Sequence, residues 1–111
     1  MPTGPHSLCE AAVPSLRRVI ALLDLFKTDV ERQRQDRVCL ESARANVCAA
    51  CVLLEEYPHL RQTPVTVAEL ILKAELALAA LNLSLNGLSI RLADTLLQET
   101  RVRLESLSEQ S

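Results

Sequence analysis

The sequence predicts an all-α domain, an antiparallel up-down bundle of about four helices. Three observations carry this expectation. Glycine is confined to Gly4 and Gly87, which leaves little material for β-turns. Hydrophobic residues make up 49% of the chain but aromatics only 2%, so the core must be built from Leu, Val, Ile and Ala. Leu and Ala are strong helix formers. Finally, apolar residues recur at alternating three- and four-residue spacing in four successive segments. A chain of 111 residues makes one domain.

Residues 1–13 hold Pro2, Gly4 and Pro5 and read as a flexible segment with at most one helical turn. The domain proper is expected over 14–108. Pro14 suits the first turn of a helix, where the missing N–H costs nothing. From there Leu16, Val19, Leu23, Phe26 and Val30 form one apolar seam, widened by Ile20 and Leu22.

"ERQRQDR" then interrupts the apolar pattern, and a break is expected between 28 and 37. Thr28-x-x-Glu31 could restart a helix through a capping box, or the first helix could continue to about Gln35 and turn near Asp36, a plausible N-cap. The next seam is Leu40, Ala43, Val47, Ala50, Leu54 and Tyr57, stopped by Pro58. Thr63 before Pro64 is a start signal, and Thr66-x-x-Glu69 is another capping box.

The third long helix is expected to run to about Leu85, where "LNG" can terminate it. Ser89 can cap the fourth, whose seam is Ile90, Ala93, Leu97, Thr100, Leu104 and Leu107. The tail, 109–111, should fray.

Charge argues against a nucleic-acid partner. Twelve basic and 14 acidic residues are interleaved, for a net −2, so no long-range positive field exists. "RQRQDR" contains its own Asp36 and no aromatic side chain. The most apolar segment, 67–85, contains Glu69, Lys73 and Glu75, so no membrane span is expected. The start "MPTGPHSLCE" lacks the basic and apolar regions of a signal peptide. With four cysteines falling in helical pattern, it predicts a cytoplasmic, reducing setting with free thiols.

Two motifs could carry chemistry. Cys48-x-x-Cys51 lies about ten residues inside a helix, with no strand before it, unlike a redox motif at a helix N-terminus. A tetrahedral metal site needs four ligands, and Cys9 and His59 could complete it only if folding brings them there. Buried packing is the preferred reading of these thiols, and metal binding through Cys48 and Cys51 the alternative. Glu56-x-x-His59 is broken by Pro58 and has no second copy, against a di-iron bundle. His6 and His59 are not mid-helix, against phosphotransfer. No glycine-rich phosphate loop is present. No catalytic residue and no cofactor are expected.

The third helix carries one more signal. Its main stripe is Val67, Leu70, Ile71, Ala74, Ala77, Leu78, Leu81 and Leu85. A second apolar stripe lies opposite: Leu72, Leu76 and Leu83, flanked by Ala68 and Ala79. A surface helix needs one apolar face. The second face predicts either that the second and third helices are central in the fold or, the preferred reading, a protein partner or self-association, and hence a non-catalytic adaptor, scaffold or oligomerisation module, a homo-oligomer or a subunit of a complex.

Overall fold

The structure is a computed structural model. It describes residues 5–30, 34–56, 63–81 and 87–110, with the side chains of 10–25, 36–55, 63–81 and 90–107. Four helices follow one another: α1 (Pro5–Val30), α2 (Arg34–Glu56), α3 (Thr63–Ala79) and α4 (Gly87–Gln110). Among the described residues there is no strand.

The helices form a ring in which α1 packs on α2, α2 on α3, α3 on α4, and α4 back on α1. Their directions follow from chain reach. From Val30 to Arg34 the backbone spans at most roughly 15 Å at about 3.8 Å per Cα step. A parallel neighbour would require a return of about 35 Å, the length of a 23-residue helix. Side-chain pairs agree with the antiparallel sense. Arg17 meets Glu55 and Asp24 meets Arg44, so numbers rise along α1 as they fall along α2. The bundle is accordingly elongated, 47 × 20 × 20 Å.

Its axis is filled by the expected seams. Leu16, Val19 and Leu23 enter from α1, and Leu40, Ala43, Val47, Ala50 and Leu54 from α2. Val67, Ile71, Ala74 and Leu78 enter from α3, and Ile90, Ala93, Leu97, Leu104 and Leu107 from α4. Thr100 is the one polar member of the α4 seam. Its hydroxyl donates to the Leu96 carbonyl at 2.7 Å, so burial leaves no unmet donor. Phe26, Val30, Tyr57 and Leu85 have side chains outside the described set.

Helix ends depart from expectation at several points. Helix α1 starts at Pro5, not Pro14, so residues 5–13 are helical rather than a loose lead-in. Pro5 takes the first-turn role, and Pro14 sits inside the helix on its exposed side. An interior proline removes a helical donor, but Ala12 and Leu16 on either side are anchored in the core. Packing of the apolar face outweighs the local preference. Helix α1 ends at Val30 and α2 begins at Arg34, both inside the expected interval. Thr28 lies within α1 and does not restart a helix there. Asp36 lies in the first turn of α2 rather than before it.

Helix α3 begins at Thr63 and ends at Ala79, about six residues short of Leu85. The Ala80 N–H is shared between the carbonyls of Leu76 and Ala77, each at 3.2 Å, and Leu81 N–H reaches Leu78 O at 3.1 Å. This is the tightening that closes a helix. Helix α4 opens at Gly87, so Ser89 lies inside it, and Glu109 and Gln110 continue it.

Candidate interaction surface

Helix α3 has only three charged residues, Glu69, Lys73 and Glu75, and the bundle uses one of them. Glu75 is turned toward α4 and accepts two bonds from Arg101, at 2.5 and 3.3 Å. Arg101 also donates to Glu105 at 3.0 Å. That contact fixes which side of α3 is covered by α4. The side carrying Leu70 and Ala77, packed against the core, is left to α2.

The remaining side faces away from the bundle. Val65, Leu72 and Leu76 are 45%, 42% and 63% exposed, and Ala79 is exposed with them. Their spacing of seven, four and three residues aligns them within about 60° at 100° per residue. Glu69 and Lys73 border the stripe on one side, both exposed.

The expected surface therefore changes in membership. Leu72, Leu76 and Ala79 lie on the outward face. Leu83 is outside the described residues. Ala68 is not on this face: it is only 5% exposed and belongs to the core. It lies two helical turns before Glu75, on the side that α4 covers. Val65 replaces it. The signal for Val65 was its seven-residue spacing from Leu72, obscured by its place in the first turn beside Pro64.

Helix α2 bears a weaker outward stripe. Val38, Ala45 and Val52 are exposed at successive seven-residue intervals. Its flank toward α1 differs in chemistry. Arg44, Cys48, Cys51 and Glu55 follow one another at spacings of four, three and four, a single stripe along the α1–α2 seam. Asp24 of α1 accepts from Arg44 at 2.8 Å, and Arg17 pairs with Glu55.

Between these two ion pairs lie the thiols. Cys48 is half-buried and Cys51 buried, and both are free, as is the half-buried Cys39. The Cys51 thiol contacts Glu55 Oε1 at 3.8 Å. Burial, followed by the Glu55 carboxylate, pushes its pKa up, against the pull of the Arg17 guanidinium. The core reading thus holds for Cys51 and is too strong for Cys48 and Cys39. No cluster of three or more His, Cys, Asp or Glu suited to a metal exists among the described residues. Cys9, Glu56 and His59 have side chains outside that set.

A groove of about 880 Å³ opens beside this seam, lined by Leu23, Asp24, Arg37, Leu40, Glu41 and Arg44. Its charges alternate in sign, so it presents no single-sign field to a ligand. Among the described residues no helix is long and apolar enough to cross a membrane. No family model, no curated protein and no solved structure matches the chain.

Proposed function

We propose that this bundle is a non-catalytic interaction module that docks through the outward face of α3, either onto a second copy or as one subunit of a complex. The observation that supports this reading is the alignment of Val65, Leu72 and Leu76 on a face that no other helix of the bundle covers. Apolar area left in water costs roughly 25 cal/mol per Å². Scattered exposed apolar side chains need no explanation, but an aligned stripe is the usual mark of a contact surface. Glu69 and Lys73 at its border would give the contact a polar rim. A cytoplasmic, reducing setting belongs to the same reading and is supported by the free thiols.

The test is Leu76→Glu, followed by light scattering and circular dichroism. Loss of association with helicity retained is the expected outcome, because the charge would strike the interface and spare the core. Unfolding would place Leu76 in the domain's own packing. A wild type that is monomeric at high concentration and captures no partner, with Leu76→Glu indistinguishable from it, would remove the main support.

A further inference from the structure

We propose that Cys48 and Cys51 form a two-coordinate site for a soft monovalent metal ion of the copper(I) or silver(I) class. The two residues lie on one flank of α2, about 60° apart in projection and about 4.5 Å apart along the axis. Side chains at this spacing have Cβ atoms about 5–6 Å apart. A disulfide needs them at about 3.5–4.5 Å, so it would close only by distorting α2. A tetrahedral divalent ion needs four ligands, and no group of even three His, Cys, Asp or Glu is assembled among the described residues. Glu55, the nearest carboxylate to Cys51, is engaged by Arg17.

A soft monovalent ion has neither requirement. Thiolates are the ligands it prefers, and two suffice when they approach from opposite sides. The ion inserted between the sulfurs spans the distance that a direct sulfur–sulfur bond leaves open. In the binding step two S–H bonds break, two sulfur–metal bonds form, and two protons leave to solvent. One positive ion and two thiolates carry a net charge of −1. Arg44, one turn before Cys48, and Arg17, reaching Cys51 from α1, face the two thiols, each shared with a carboxylate, Asp24 and Glu55, so the sulfur–metal bonds must outweigh the burial and the Glu55 charge that oppose a Cys51 thiolate. Cys48, half-buried, offers the way in, while Cys51 lies behind it in the seam.

The experiment loads the reduced full-length chain with copper(I) without oxygen and challenges it with a chromogenic copper(I) chelator. The expected result is one ion retained per chain, with X-ray absorption showing two sulfur neighbours. Cys48→Ser and Cys51→Ser should each abolish retention, whereas Cys39→Ser and Cys9→Ser should not change it. Circular dichroism checks that each variant is helical. Should Cys51→Ser fail to fold, Cys48→Ser decides, since its side chain reaches solvent. Retention by Cys48→Ser, loss in Cys39→Ser, a third sulfur neighbour, or no retention by the wild type would each overturn the site.

Discussion

The α1–α2 seam and the α3–α4 seam are both bridged by arginine–carboxylate pairs, yet water treats them differently. In the first seam Arg17–Glu55 and Arg44–Asp24 all keep more than a third of their side-chain surface exposed. In the second, Glu75 is 9% and Arg101 23% exposed, and the contact is bidentate. Exposed pairs gain little, because water already solvates both charges. A covered carboxylate has lost that water and depends on its partner. The same residue types thus decorate one seam and bind the other. The carboxylate of the covered pair sits on α3, the helix with the fewest charged residues, and its partner Arg101 comes from α4.

The core shared by both seams sets the scale of effects. Leu97 is fully buried at the centre of the α4 seam. Leu97→Ala should cost about 2–5 kcal/mol in denaturant melts, the range for a large core truncation. A loss below about 1 kcal/mol would mean that neighbouring helices collapse into the space, well outside that range.

Next in size is Arg101→Met. It strands Glu75 under α4, and the expected loss is about 1–3 kcal/mol, the cost of an unmet buried partner. Glu75→Leu combined with Arg101→Met should recover most of it, and a double-mutant cycle measures the coupling. If Arg101→Met costs no more than Arg44→Ala, the contrast between the seams fails.

The two seams should also respond to opposite ends of the pH range. Burial pushes the Asp94 carboxyl up, against the pull of Arg101 two turns on along the same face of α4. The folded state therefore holds this proton more tightly than the unfolded chain. The stabilisation is complete below the ordinary carboxylate range and is lost as pH rises through the raised value. Cys51 follows the same sign at the other end. Its stabilisation as a thiol is present below the ordinary thiol range and is lost as pH climbs through the raised one. Relative to wild type, Asp94→Asn should flatten the acidic part of a stability–pH curve and Cys51→Ala the alkaline part. Interchanged or absent effects would show that these groups do not sense the burial of their seams.

The smallest expected effect is that of Arg44→Ala, about 0.2–1 kcal/mol. It should shrink further when melts are repeated at high salt, since exposed charges are screened over about 10 Å at 0.1 M. A salt-independent loss would mean that the Arg44 stem packs on α1 and contributes through contact rather than charge.

The sequence by itself determined the fold class and the axis of the bundle. Leu16, Val19, Val47, Ile71, Leu97 and Leu104 were legible because a helix can bury only what recurs near every 3.6 residues. Whatever helices pack together, those positions must meet. Tertiary structure decided the rest. Helix ends depend on close competition between backbone partners. A core on both sides can carry α1 through Pro14, while nothing in "LNLSLNG" reveals that α3 stops at Ala79 rather than at Leu85. The partners of Arg44 and Arg101 depend on which helices become neighbours, and local sequence does not encode that choice. The same holds for the candidate surface. Ala68 and Val65 are both apolar and both near the edge of the α3 stripe, but α4 covers one and not the other. Periodicity can say that a helix has two apolar faces; only the packing of its neighbours says which residues remain in water.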